Sequence, residues 1–232
     1  MSDALRLLVV GATGLVGGRA IEEAQRLREF HLLALSRREL GLPLGTRIEV
    51  LLADPANWPS AIAQLQPDVV ICALGTTWAK SGQDEAAFRA VDQYLVLAVA
   101  KAAKAAGAQR FVLVSSVGAD LATSNFYLRV KGEVERDIGK VGFDRLTILR
   151  PGLLRGPRGG ERRVLERLGI ILSPLTNLFL HGQYRKYRSI DGRVVARAAL
   201  QACLDKRKGR FVLENDGIHR AAGELERAHP SE

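Results

Sequence analysis

Cysteine is nearly absent from this 232-residue chain: Cys72 and Cys203 stand alone in apolar surroundings, with no C-x-x-C spacing and no histidine cluster beside them. That excludes a disulfide framework and a structural zinc site, and both thiols read as core residues. His181, His219 and His229 have no metal-ligand spacing and His31 falls at a strand edge, so no metal is expected. Also missing is any run near the roughly 18 uninterrupted apolar residues of a membrane span. The nearest stretch, Leu168 to Leu180, is broken by Ser173, Pro174, Thr176 and Asn177. A soluble protein without a membrane partner is the expectation. Met1 precedes the first apolar strand by only a few residues, which leaves no room for a leader, and a cytoplasmic compartment is expected.

Acidic residues are the minority, 25 against 34 Lys and Arg, for a net charge of +9. The excess is local. Between Arg145 and Arg197 lie 12 basic residues and three acids, so that stretch alone carries +9 and the rest of the chain sums to zero. Nucleic acid is not expected as a partner, because no aromatic stacking platform or recognised motif accompanies the charge. Arg155, Arg158, Arg162 and Arg163 instead suit the steering of an anionic substrate or of cofactor phosphates, the alternative being a solvated arginine-rich surface.

What is present begins at the N-terminus. The apolar run Leu5 to Val10 leads into Gly11-Ala12-Thr13-Gly14-Leu15-Val16-Gly17, and a helix-forming stretch, Arg19 to Arg28, follows. In such a strand, turn and helix, Gly11 permits the sharp turn, Gly14 clears the approach of a pyrophosphate, and Gly17 lets helix and strand pack closely. The free N–H groups and dipole of the helix start attract an anion. Gly11, Thr13, Gly14, Leu15 and Gly17 therefore form a candidate dinucleotide cradle, although the spacing is G-x-x-G-x-x-G and a purely structural turn is the competing reading.

Further strands are expected at His31 to Leu35, Arg47 to Leu52, Asp68 to Leu74, Arg110 to Ser115, Arg145 to Leu149 and Arg210 to Leu213. Helices are expected at Trp58 to Leu65, Ala86 to Ala106, Asn125 to Gly139, Asp191 to Leu204 and Ile218 to Ala228. Alternating apolar strands and helices imply an α/β fold: a doubly wound parallel sheet, the Rossmann arrangement, with ligand at the C-terminal strand ends. The whole chain, 1–232, reads as a single domain, with the irregular segment 151–190 as a small substrate-side lid or pocket wall. A homodimer through helices beside the sheet is left open.

The second strand ends in Ser36-Arg37-Arg38, and the carboxylate that would bind the adenosine ribose of NAD is missing. Two guanidinium groups suit a 2′-phosphate, which favours NADP(H), unless Glu39 swings in as a ribose acceptor. Asp54 is placed to meet the adenine amino group, and Leu74, Gly75 and Thr76 to run along the ribose and pyrophosphate. Later come Ser115-Ser116 at a strand tip and Tyr127 and Lys131 four apart on one helix face. An ammonium beside a phenol favours the phenolate, so Tyr127 suits proton exchange with a substrate oxygen.

At these residues the chain resembles the atypical short-chain dehydrogenase/reductase superfamily, in its NAD(P)-binding, epimerase- and NmrA-like group. Within it the likeness is to the branch typified by the HIV Tat-interacting oxidoreductase-like protein. Gly11 to Gly17, Leu74-Gly75-Thr76-Thr77, Val91-Asp92, Leu113 to Asp120, Ser124 to Glu135 and Arg150-Pro151-Gly152 carry the resemblance, which thins after Gly152. It implies Ser116 as the serine that polarises the substrate, with Ser115 as fallback, Tyr127 as acid/base and Lys131 as ribose ligand. Pro151 and Gly152 would form the turn past the nicotinamide. NADPH and a small carbonyl or alcohol substrate follow. Val91-Asp92 stands where epimerase-like enzymes carry Val-Asn, so a relay built on that Asn does not transfer. The reading is an NADP(H)-dependent oxidoreductase; the alternative is a non-catalytic NADP(H)-binding sensor.

Overall fold

Leu7, Leu8, Val9 and Val10 are fully shielded from solvent in a row, which a strand achieves only where both faces of its sheet are covered. The computed structural model describes residues 4–79, 81–156 and 188–230. Their leading run is β1 (Leu5–Val10), α1 (Leu15–Ala24), β2 (Phe30–Ser36), β3 (Glu49–Leu52), α2 (Trp58–Leu65) and β4 (Val69–Cys72). After it come α3 (Glu85–Arg89), a π-helical stretch (Ala90–Leu95), α4 (Val96–Ala105), β5 (Arg110–Val114), α5 (Phe126–Gly139) and β6 (Arg145–Leu149). The chain closes with β7 (Leu154–Arg155), β8 (Ile190–Asp191), α6 (Gly192–Leu204), β9 (Gly209–Leu213) and α7 (Asn215–Ala228).

Seven strands form one parallel sheet in the order β3-β2-β1-β4-β5-β6-β9. This is the doubly wound Rossmann sheet expected from the alternation of elements. The order reverses between β1 and β4, where such folds bind ligand outside the carboxyl strand ends. Register keeps the tips level: Val10 pairs with Leu35 on one side and Cys72 on the other, and Leu113 with Ile148. Successive β1 side chains then go to opposite cores. Leu7 and Val9 pack with Ile21 of α1 and Leu200 of α6, whereas Leu8 and Val10 pack with Ile62 of α2, Val99 of α4 and Val134 of α5. Burying each such aliphatic side chain contributes about 1.5–3 kcal/mol.

Several boundaries differ from expectation for identifiable reasons. Helix α1 spans Leu15–Ala24 rather than Arg19 to Arg28. It starts at once because Gly14 is extended, and its end is held by Arg47, which donates a guanidinium hydrogen bond to the Gln25 carbonyl at 2.7 Å. The long helix expected from Ala86 to Ala106 is one helical run interrupted by the π-helical stretch. The two-stranded pair β7 and β8 was not anticipated; it joins Leu154 to Ile190 and Arg155 to Asp191. Most of the proposed lid, 157–187, lies outside the described residues, as do Arg158, Arg162, Arg163 and the apolar segment 168–180.

Candidate active site

The glycine turn behaves as the strand-turn-helix pattern requires. Gly11 has φ +89°, and a Cβ there would lie 2.5 Å from the Ala73 carbonyl oxygen. A Cβ at Gly17 would collide with the Gly11 carbonyl, so α1 lies directly on the end of β1. Gly14 and Thr13 are exposed above the first turn, whose N–H groups have no intrahelical acceptors. The Leu15 side chain is turned away, against Gly156 and Gly192, which leaves the peptide edge of the turn as the anion-facing surface. This cradle fits a pyrophosphate.

One end of the cleft lies beyond β2 and β3. Ser36 closes β2, and its Oγ accepts the Arg38 N–H at 3.3 Å. Arg37, Arg38 and Glu39 follow, all exposed. Neither guanidinium makes a hydrogen bond or ion pair with a described residue. Asp54 is likewise exposed, at the start of the 3-10 turn Pro55–Asn57. Trp58 anchors that corner by donating its indole N–H to the Ala53 carbonyl at 3.0 Å.

The other end is buried and paired. After β4 the Ala73 N–H still bonds to the Val10 carbonyl at 2.8 Å, and the chain then runs out through Leu74, Gly75 and Thr76. The Thr76 N–H donates to Asp92 Oδ2 at 2.7 Å, and Lys131 Nζ donates to Asp92 Oδ1 at 2.7 Å. Asp92 has no solvent access and Lys131 very little. Gly75 lies over the pair: a Cβ there would sit 3.3 Å from Asp92 Oδ1 and 3.7 Å from Lys131 Nζ. Burial works against the Lys131 charge, but the nearby Asp92 carboxylate, with Tyr127 assisting, outweighs it, so the ammonium is held above the ordinary lysine value. Tyr127 comes from the same helix face, its ring centroid 5.8 Å from Lys131 Nζ and 5.5 Å from that of Phe88. Trp78 and Phe126 complete an aromatic wall there, with ring centroids 5.1 Å apart.

The serine pair separates. Ser115 Oγ donates to buried Glu135 Oε1 at 2.6 Å, and Glu135 is also gripped by Arg150 through Nε at 2.9 Å and Nη2 at 2.6 Å. Ser116 is half-buried, and its hydroxyl has only a 3.3 Å bond to the Val117 carbonyl. The Val117 N–H in turn donates to the Pro151 carbonyl at 3.0 Å, which brings Pro151 and Gly152 alongside the β5 tip. Lys131, Gly75 and Thr76 are thus brought together around Asp92, with Tyr127 beside Lys131, whereas Ser36, Arg37, Arg38 and Asp54 occupy the far end. No hydrogen bond links Ser116 to Tyr127 or Lys131.

Two participants lay beyond the sequence reading. Asp92 was legible only as a departure from Asn, and its partnership with Lys131 needs the fold. Glu135 had a usable signal, since it follows Lys131 by four residues and so shares its helix face. Among the described residues, no group of three or more His, Cys, Asp or Glu is arranged to hold a metal ion.

A family model described as NAD(P)H-binding matches residues 11–170. Protein FMP52, mitochondrial, of Saccharomyces cerevisiae is 38% identical over 159 residues, covering 67% of this chain and 68% of that protein. Protein FMP52-1, mitochondrial, of Scheffersomyces stipitis is 35% identical over 199 residues, 84% of this chain and 86% of that one. The structure of MoeE5 in complex with UDP-glucose and NAD superposes with a TM-score of 0.68 at 17% identity, covering 95% of this chain and 81% of MoeE5; it establishes likeness of fold. The cytoplasmic compartment expected from the short N-terminus is overturned, because these relatives are named mitochondrial. Closeness of the first strand to Met1 was a poor guide to location. With its glycine cradle at the switch point of a doubly wound sheet, and with these relatives, the chain belongs to the NAD(P)H-binding family and is a relative of the FMP52 proteins.

Proposed function

We propose that this protein is an NADP(H)-dependent oxidoreductase of the atypical short-chain type, acting on a small carbonyl compound or the corresponding alcohol. The observation that carries the reading is the buried Lys131 ammonium, 2.7 Å from Asp92 beneath Gly75, with Tyr127 on the same helix face. A pure coenzyme sensor has no need of an acid/base group beside a fixed cation. The run from Ser124 to Glu135 favours the branch typified by the Tat-interacting oxidoreductase-like protein.

The bound coenzyme supplies or accepts the hydride. Gly11, Thr13, Gly14, Leu15 and Gly17 hold its pyrophosphate through backbone N–H groups. Arg37 and Arg38, exposed and without described partners, take the 2′-phosphate with Ser36 shaping their turn, and Asp54 meets the adenine amino group. Leu74, Gly75 and Thr76 follow the ribose, Lys131 donates to the nicotinamide ribose, and Pro151 and Gly152 border the ring. Ser115 braces the β5 tip through Glu135, which leaves the Ser116 hydroxyl to hold the substrate oxygen. Tyr127 gives that oxygen a proton in reduction and removes it in oxidation. Half-buried Arg155 favours an anionic substituent on the substrate.

The test is an NADPH-oxidation screen of aldehydes, ketones and quinones, repeated with Tyr127→Phe. The substitution is expected to lower kcat by about 100- to 10,000-fold while NADPH still binds. Undiminished turnover in Tyr127→Phe refutes the proton-transfer role. NADPH binding without any turnover returns the sensor reading.

A further inference from the structure

Asp92 lies in the π-helical stretch between α3 and α4, an insertion of a kind frequent at functional sites. Both its oxygens are engaged, one by the Thr76 N–H and one by Lys131 Nζ, each at 2.7 Å. A neutral asparagine would satisfy the Thr76 N–H equally well. Only a carboxylate adds a negative charge beside an ammonium that is itself removed from water. Without that charge, burial favours the neutral amine. The groups facing Lys131 are Asp92 from the π-helical stretch, Tyr127 from α5 and Cys72 from β4. The Cys72 thiol is pushed up to about 12 by burial and so stays neutral through the physiological range.

We propose that Asp92 is a positioning residue, the resident counter-ion that keeps Lys131 charged and aimed at the coenzyme ribose, so that coenzyme binding is insensitive to pH from neutral to moderately alkaline conditions. Its role rests on the reading above, in which Lys131 holds the ribose. Asp92 ties the loop after β4 to α5 through a single side chain. Lys131 has three N–H donors. Asp92 takes one and fixes the position of the nitrogen, which leaves the others for a ligand beneath Gly75.

Protein-fluorescence titration with NADPH from about pH 7 to 9.5, where an ordinary lysine remains charged, tests this directly. Wild type is expected to hold one dissociation constant across the range. Asp92→Asn, with its melting temperature checked at neutral pH, is expected to weaken NADPH binding by about tenfold or more as the pH rises, because a buried uncompensated lysine can lose several pK units. Asp92→Glu, which keeps the charge, should restore the flat profile. The Asp92→Asn/Lys131→Met double variant should lose the slope that Asp92→Asn introduces, since the amine responsible for it is gone. A flat profile in Asp92→Asn overturns the proposal, and so does an unchanged slope in the double variant or in Asp92→Glu. Failure of the reductase reading is a separate result: it appears as turnover that survives Tyr127→Phe, whereas these titrations require no turnover.

Discussion

The two ends of the cleft solve opposite electrostatic problems. Beyond β2, Arg37 and Arg38 stand in water without described partners, where an unpaired charge costs little and a multiply charged phosphate can be met by bidentate hydrogen bonds. Beneath Gly75, Lys131 and Asp92 are buried, and there each charge is tolerable only because the other lies 2.7 Å away. Glu135, Arg150 and Ser115 repeat that arrangement at the β5 tip. A site that must place a reacting group needs partners fixed in advance. A site that only clasps a phosphate gains from side chains that remain free to close on it.

Glu135→Ala offers the largest opportunity to break this contrast. It leaves the half-buried Arg150 guanidinium without its carboxylate and the buried Ser115 hydroxyl without its acceptor, and a loss of about 2–3 kcal/mol in unfolding free energy is expected by denaturant titration. A loss under about 1 kcal/mol would mean that the buried network is not stabilised by pairing. At the exposed end, Arg37→Ala should leave stability within about 0.5 kcal/mol of wild type. The same variant should weaken NADPH about tenfold while sparing NADH, since a lost charge-assisted hydrogen bond is worth about 1.5–3 kcal/mol. Equal affinity of wild type for NADH and NADPH would remove the phosphate-clasping role altogether.

The smallest effect belongs to an intermediate case, the half-buried pair of Glu133 on α5 and Arg89 on α3. The hydrogen bond from Arg89 holds the Glu133 carboxyl below its ordinary value, with Gln93 assisting. A depressed carboxylate contributes stability that is complete above its unfolded value near about 4.3 and is lost as pH falls through the folded value. Thermal melts of Glu133→Gln should therefore sit slightly below wild type near neutral pH, by no more than about 1 kcal/mol, and converge with it in acid. A gap that persists at low pH would assign the contact to packing rather than to charge.

Much of the scaffold was legible in the chain because its signals are local. The apolar run before Gly11, the helix-breaking Gly107 and the apolar strand from Arg110 to Val114 each report short-range stereochemistry. Boundaries slipped where distant residues take part, as where Arg47 bonds to the Gln25 carbonyl just past the end of α1. Tyr127 and Lys131 share a face by helical spacing alone. The resemblance ranked Ser116 ahead of Ser115, but that Ser115 is engaged by Glu135, 20 residues away, was not visible in the sequence. Asp92 presented itself in sequence only as an oddity, for its partner lies 39 residues further along.

The order of elements, the glycine turn and the helix face carrying phenol and ammonium followed from the sequence by itself, because each depends on backbone sterics and periodicities acting over a few residues. Which serine turns inward, which carboxylate neutralises Lys131 and which arginines stay in water were decided only by the tertiary structure. Those outcomes depend on burial and on distances between side chains far apart in the chain, and desolvation acts on a charge only once the fold has closed around it.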